Sequence, residues 1–543
     1  MKAVSQPNLC PARPKRFGRL FPAAAFLALS ACGGGGGSDA GGGGNGNGWT
    51  AGVFLPSASF AAQCVAPRSG NNPGTGQPWP DVAGTRSDEN NFLRSWSNET
   101  YLWYDEIVDQ NPALFSSSLT YFEELRTNDT TASGAPKDKF HFTFDTNDWL
   151  QLSQSGVSAG YGAEWIILSG EPPRQVVVAF TQPDSPATEP GVDLARGAEV
   201  LTVDSVDLVN GNDVNTLNAG LFPAGPGETH TFTIRDLGAA NTRQISMMSE
   251  QVTSVPVQNV TTLASSMGTV GYLLFNDHIA TAEGGLKGAI EQLDAANVSE
   301  LVVDVRYNGG GFLAIASQLA YMIAGDAATA GRVFEEIEFN DQHPSTNPVT
   351  GQPLEPMPFF DTTVGISTLP AGQPLPSLDL QRVFLLTGPN TCSASESIMN
   401  SLRGVDVEVI QIGSTTCGKP YGFYPTDNCG TTYFTIQFRG VNDKGFGDYT
   451  DGFSAANTAG GFIGEPVPGC SVADDFGHAL GDPLEGRLQA ALGYLETGSC
   501  PAPSGIAGPG LSKPSAPLSA TDGVMPRGPW RENRILQRPE SPQ

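Results

Sequence analysis

Histidine is scarce in this chain. Its 543 residues include five, at His141, His230, His278, His343 and His478. The nearest in sequence to the hydroxyl-rich stretch TCSASESIMN (391–400) is His343, so a serine there has no histidine base in its own neighbourhood. Charge is also thin: 16% of residues are Asp, Glu, Lys or Arg, against about a quarter in ordinary globular proteins. Lys and Arg number 29 against 56 Asp and Glu, giving a net charge of -27. So acidic a surface repels phosphate backbones and excludes nucleic acid as a partner. There is no CxxC and no Cys/His cluster at metal-ligand spacing, which excludes a zinc module. GxxxxGK[ST] is missing from the glycine-rich turn discussed below, which removes a phosphate loop. The apolar run FPAAAFLALSAC (21–32) is too short to cross a bilayer as a helix of the mature protein.

Glycine (66) and proline (42) are abundant, so much of the chain is expected in turns and linkers, around two or three domains. Residues 2–19 carry Lys2, Arg13, Lys15, Arg16 and Arg19 and no acid. Followed by a short apolar core and small residues, they read as an export signal over 1–31. Leu29-Ser30-Ala31-Cys32 resembles a bacterial lipobox, which implies lipidation at Cys32. Gly33 in the next position implies the outer membrane of a bacterial cell envelope, with the folded part outside the cytoplasm. The stretch 33–48 cannot form a core and suits a flexible tether, extended here to 32–85. With Cys10 removed and Cys32 lipidated, six of the eight cysteines remain: Cys64, Cys392, Cys417, Cys429, Cys470 and Cys500. An even number in an oxidising compartment predicts disulfides, with their pairing left open.

Residues 91–108 place Phe92, Trp96, Tyr101, Leu102, Tyr104 and Ile107 at helical spacing, and 118–127 gives a second helical stretch. Together they predict a small N-terminal helical cap over 86–150. Residues 151–255 alternate β-rich runs with turn signals. From 256 to 500 strands alternate with helices: 268–275, 300–307, 382–388 and 407–413 as strands, and 285–297, 313–325 and 393–404 as helices. That alternation predicts an α/β core with parallel strands. Residues 501–543 return to Pro, Gly and Ser and predict a disordered tail.

Strand 382–388 followed by helix 393–404 sets Ser393 at a helix N-terminus, where backbone N–H groups favour an anion. The plainest reading is a helix cap, since Ser393 and Glu396 have the S-x-x-E spacing of a capping box. Lys419, in GSTTCGKPYGFYP (413–425), offers an alternative. Burial disfavours an ammonium, and a neutral amine near Ser393 can accept its proton. The competing reading of Lys419 is a solvated surface lysine. The turn Asn308-Gly309-Gly310-Gly311 lets backbone approach a ligand closely. Its N–H groups, at Gly309 or Gly310, join that of Ala394 as candidate oxyanion donors.

In combination, Asp304-Val305-Arg306-Tyr307-Asn308-Gly309-Gly310-Gly311, Ser393-Ala394-Ser395-Glu396 and Gly418-Lys419 resemble the C-terminal processing (tail-specific) peptidases, family S41. The likeness spans about 86–500. It implies a ClpP/crotonase-like αβ core over 256–500 that cleaves peptide bonds of exported proteins by a Ser-Lys dyad. Ser393 would be the nucleophile, Lys419 the base and Glu396 a supporting residue, with Asp304 and Arg306 holding strand and turn. No metal or organic cofactor is implied; the partners are protein or peptide substrates. Ser185-Pro186-Ala187, Gly191, Leu194 and Arg196–Val203 resemble a PDZ domain, which implies capture of a substrate tail at Gly160, Tyr161 and Gly162 and points to the PDZ-containing lipoprotein branch. The chain departs from the family pattern at Pro420 and Phe423, so the glutamine that often follows the lysine is missing. Two other readings stand beside this one: an inactive peptide- or ligand-binding lipoprotein on the same scaffold, and a crotonase-like acyl-CoA enzyme, which an export signal disfavours.

Overall fold

The computed structural model describes residues 49–170, 172–459 and 464–504 and the short strand Arg534–Ile535. The signal sequence, Cys32 and the glycine stretch 33–48 lie outside the described residues, as does most of 505–543.

The alternating segment from 256 onward forms a six-stranded sheet. Its order is Val257–Ser265, Gly268–Phe275, Glu300–Asp304, Arg382–Thr387, Glu408–Gly413, Gly469–Ser471. The first pair is antiparallel and every later pair parallel. The strands are apolar on both sides because both faces are covered. Val303, Val383, Leu385 and Val409 face a core shared with Leu286, Ile290, Leu319 and Ile398. These come from helices Ala282–Ala295, Leu313–Thr329 and Ala394–Gly404. The intervening residues Val302, Phe384, Leu386, Ile410 and Ile412 face Leu488, Ala491 and Leu495 of helix Gly486–Thr497.

Residues 163–248 form a separate antiparallel sheet in the order Arg243–Met248, Thr229–Arg235, Glu199–Val203, Gln175–Thr181, Ala163–Ser169, with helix Val214–Leu221 against it. It has its own core of Tyr161, Trp165, Val176, Val200, Leu217 and Phe232. Strands Val157–Gly160 and Glu250–Thr253 pair antiparallel where the chain enters and leaves this unit.

The N-terminal region differs from expectation in three ways. The helix expected through residue 108 spans Arg86–Thr100, started by a Thr85–Asp88 capping box. Tyr101 turns extended and buries its ring, its hydroxyl donating to Asp138 at 2.7 Å. Phe142–Asp145, inside the expected helical cap, is a strand that pairs with Thr431–Phe434. The segment from Trp49 to 85, taken as tether, is packed down. Cys64 is buried and disulfide-bonded to Cys429, and Arg68 bridges Asp81 and Asp427. Composition could not reveal this, because the segment is held by one long-range disulfide, the Arg68 ion pairs and a single buried ring, Phe60, and not by an apolar run. The other disulfides are Cys392–Cys417 and Cys470–Cys500.

Candidate active site

Three loops meet at the carboxyl ends of neighbouring parallel strands. The turn after Arg382–Thr387 is laid on the turn after Glu300–Asp304. Thr391 Oγ1 donates to Val305 O at 2.8 Å, Cys392 N to Asn308 O at 3.1 Å and Ser395 Oγ to the same carbonyl at 3.0 Å. Ser393 follows, fully buried, with φ 59° and ψ −116°. A left-handed conformation at a non-glycine residue costs on the order of 1–3 kcal/mol and persists only where its surroundings enforce it. Sharp strand-to-helix turns also present the nucleophile in the α/β-hydrolase fold.

What enforces it is Glu396. This buried carboxylate accepts from Ser393 N at 2.9 Å and Lys419 N at 2.8 Å on one oxygen. It accepts from Gly418 N at 2.9 Å and Thr416 Oγ1 at 2.6 Å on the other. The backbone nitrogens of Ser393 and Lys419 are thus separated by no more than two hydrogen bonds through a single atom. Burial pushes the Glu396 carboxyl above its ordinary range, and the four donors pull it back only in part. Half of the expected capping box is therefore present. The other half, from Glu396 N–H to Ser393 Oγ, lacks hydrogen-bond geometry, and Ser393 Oγ has no partner among the described residues.

Lys419 is fully buried, not a surface lysine. Its Nζ lies 4.7 Å from the ring centroid of Phe140 and 4.7 Å from that of Phe423. Phe423, a departure from the family pattern, thus forms one wall of the lysine pocket. A second lysine, which the sequence did not mark, is close by. Lys139, also buried, donates from Nζ to Cys417 O at 2.8 Å.

The glycine turn is held from beneath. Asn308 donates from Nδ2 to Phe275 O at 3.0 Å, while its Oδ1 accepts from Gly310 N and from His278 Nδ1, each at 2.9 Å. Gly310 N–H is thereby engaged. The N–H groups of Gly309 and Ala394 have no acceptor among the described residues. A Cβ at Gly311, where φ is 138°, would sit 2.6 Å from His278 O. Arg306 anchors the strand end, bonded to Asp304, Glu485 and Asp474. Arg196, from the inserted unit, binds the same Asp474 at 2.7 Å. Asn308 lay in the quoted motif with no role of its own, and His278 had no signal beyond its position just after a strand.

Gly160, Tyr161 and Gly162 stand apart from these loops. They line a cleft of about 410 Å³ between strand Ala163–Ser169 and the segment 221–226. Tyr161 donates its hydroxyl to Gly220 O at 3.0 Å. The carbonyls of Tyr161 and Gly162 point inward, accepting from Ala187 N and Gln182 N. The N–H groups of Tyr161 and Gly162 have no acceptor among the described residues. One cluster of metal-ligating residue types occurs among the described residues, Cys392, Glu396 and Cys417, and its two sulfurs are joined to each other.

Residues 269–424 match Peptidase family S41, and residues 88–143 match the Peptidase S41 N-terminal domain. The chain belongs to peptidase family S41. The S41 match covers the four inner strands of the six-stranded sheet, the glycine turn, Ser393 and Lys419, and members of the family are serine peptidases that act on proteins or peptides. The fold is similar to that of a Bacteroides fragilis NCTC 9343 protein assigned to the S41 proteases, at 19% identity and TM-score 0.56, over 78% of this chain and 100% of the other. A photosystem II D1 C-terminal processing protease aligns at 18% identity and TM-score 0.40, over 69% of this chain and 92% of the other. No curated protein matches the sequence.

Proposed function

We propose that this S41 member is a serine endopeptidase in which Ser393 attacks the substrate carbonyl and Lys419 accepts its proton. The observation that carries the proposal is the shared Glu396 oxygen. It fixes the backbone of both residues while leaving Ser393 Oγ without a hydrogen-bond partner. A lysine takes a proton only as the free amine, and full burial favours the uncharged form. As the Ser393 oxygen bonds to carbon, the carbonyl oxygen becomes an oxyanion, for which the Gly309 and Ala394 N–H groups are the donors. The C–N bond then breaks, and the leaving amine takes the proton from Lys419. Water then gives a proton to the Lys419 amine as its oxygen bonds to the acyl carbon; the ester C–O bond breaks, Lys419 returns that proton to the Ser393 oxygen, and the acyl group leaves as the acid.

In the same reading the inserted sheet acts as a PDZ-like module. A peptide strand adds to the edge strand Ala163–Ser169, and the Tyr161 and Gly162 N–H groups receive its terminal carboxylate. No step requires a metal or organic cofactor. The chain is held at the envelope, at the outer membrane, by lipid on Cys32; replacing Cys32 with Ser should release it into the soluble fraction.

A fluorophosphonate probe followed by mass mapping tests the nucleophile. Labelling is expected at Ser393 alone and to vanish in Lys419→Met. Ser393→Ala and Lys419→Met should each lower casein cleavage by at least about a thousandfold. Full cleavage by either variant would overturn the assignment. An inert Ser393 in a folded chain would favour a binding protein on this scaffold.

A further inference from the structure

Two consecutive residues of the N-terminal region, Lys139 and Phe140, reach the pocket of Lys419 just before strand Phe142–Asp145 begins. Both are buried. The Phe140 ring centroid lies 4.7 Å from Lys419 Nζ. Lys139 Nζ lies 5.4 Å from the same centroid and donates to Cys417 O, 278 residues further along the chain, at 2.8 Å. The two amine nitrogens are therefore no further apart than those two ring distances laid end to end. At such range, proton uptake by one lysine depends on the charge of the other.

The walls of the pocket act on Lys419 in opposite senses. Burial disfavours its ammonium. The Phe140 and Phe423 rings favour it, because an aromatic face attracts a cation. Apolar walls alone therefore do not settle which form the base holds, and a neighbouring charge decides. Lys139 has a carbonyl oxygen at its nitrogen, a contact that favours the charged donor. The carboxylates on the adjoining elements are engaged elsewhere. Asp138 accepts from Tyr101 Oη and Phe140 N, Asp451 from the Thr131 and Ser133 hydroxyls, and Glu396 from the four donors described above. Burial pushes His141 down to about 4 and Tyr421 upward, so both are neutral near pH 7. Asp448 and Arg439, which also act on Tyr421, carry opposite charges.

We infer that Lys139 is a positioning residue for proton transfer: its ammonium, fixed on Cys417 O, keeps the Lys419 amine uncharged and able to take the Ser393 proton. The inference rests on the peptidase reading for Ser393; the coupling between the two lysines does not. Two unit charges within about 10 Å, at an effective dielectric of about 20, lower each other's proton affinity about tenfold. That is enough to bring a buried amine from mostly charged to mostly free near its midpoint.

Two measurements test it. In the full chain carrying Ser393→Ala and labelled with [13C]lysine, the Lys419 Cε resonance, assigned by its loss in Lys419→Met, reports the titration of that side chain. Adding Lys139→Met is expected to raise its midpoint by about one pH unit, whereas Lys139→Arg, which keeps the charge, leaves it in place. Lys139→Gln, which keeps a donor for Cys417 O without the charge, repeats the measurement if Lys139→Met melts below the assay temperature. An unmoved midpoint in the uncharged variants overturns the inference whether or not the chain is a peptidase. In the active chain, the acid limb of kcat/KM for a short blocked peptide should move up by the same interval in Lys139→Met and return in Lys139→Arg. A uniform fall at every pH, with the limb in place, would make Lys139 a prop for the Cys417 loop and would overturn the inference too. A moved midpoint in a chain that turns over no peptide would sustain the coupling and overturn the peptidase reading.

Discussion

Cys392, directly before Ser393, is disulfide-bonded to Cys417, two residues before Lys419, with their Cα atoms 5.2 Å apart. The covalent bond runs beside the Glu396 hydrogen bonds and joins the same two loops. The Ser393 loop and the Lys419 loop are thus tied twice, once by a bond that reductants break and once by a buried carboxylate.

Replacing both cysteines in C392A/C417A should cost about 2–4 kcal/mol of stability. Peptide turnover should fall further than the lost folded fraction explains, since the loops must hold atoms in reactive geometry. Thermal melts and kcat measured well below Tm separate the two effects. Unaltered kcat would mean that Glu396 alone sets the loop geometry.

Glu396→Gln tests the other tie. The amide keeps one accepting oxygen but turns an NH₂ toward two donors, in a site where every donor is already directed at the side chain. A loss of about 1–3 kcal/mol in stability is expected. So is a fall of ten- to a hundredfold or so in kcat with little change in KM, the pattern for a residue that acts only through others. A variant that loses KM instead would place Glu396 in substrate binding.

Acid should destabilise the fold from about pH 6.5 downward. Burial pushes His278 down to about 3 and His141 down to about 4, whereas an unfolded histidine titrates near 6.5. Between those values the unfolded chain binds protons that the folded chain refuses, so stability drops as pH falls. Asp474 acts in the same sense at lower pH: against the upward pull of burial, Arg487, Arg306 and Arg196 hold it low. Glu396 and Asp148, pushed up by burial, and His478, raised by its hydrogen bond to Asp475, work in the opposite sense, against the two buried histidines and the carboxylates held low by their partners. Urea midpoints from pH 7.5 to 4.5 should decline throughout; a constant midpoint would mean that both histidines are charged in the folded state.

Tail capture makes a separable prediction. A Cβ at Gly162, where φ is 75°, would lie 2.3 Å from Ser185 Oγ. Gly162→Ala should distort the Tyr161–Gly162 N–H pair without reaching the Ser393 and Lys419 loops. KM for substrates with a free, extended C-terminus should rise several-fold, while cleavage of short blocked peptides stays the same. Equal effects on both substrates would remove the inserted sheet from substrate selection.

The strands were legible where burial on both faces leaves a continuous apolar run. Gly268–Phe275 matches its expected bounds, and Glu300–Asp304, Arg382–Thr387 and Glu408–Gly413 fall within theirs. That the turns carrying Ser393, Glu396, Lys419 and Gly309 would meet was legible from the combined motif, and the structure brings these loops together. What could not be read is what depends on chain ends brought together: the disulfide partners, the strand Phe142–Asp145 donated to a sheet far along the chain, and Lys139 beside Cys417. The backbone twist at Ser393 is of the same kind, since local propensity opposes it and only the tertiary setting of Glu396 imposes it. Gly310 differs from Gly309 as an anion donor because its N–H is taken by Asn308 Oδ1, a contact no sequence pattern shows.

The Cys64–Cys429 bond has a consequence for how damage to this molecule would look. Almost all of the catalytic and inserted sequence lies between those two sulfurs, so a nick at one exposed loop anywhere from 65 to 428 leaves both pieces on one covalent body. Under non-reducing electrophoresis a cut molecule would migrate near the whole one, and its wound would open only when thiol is added. Under oxidising conditions that stitch keeps a molecule cut once in such a loop from losing its front half.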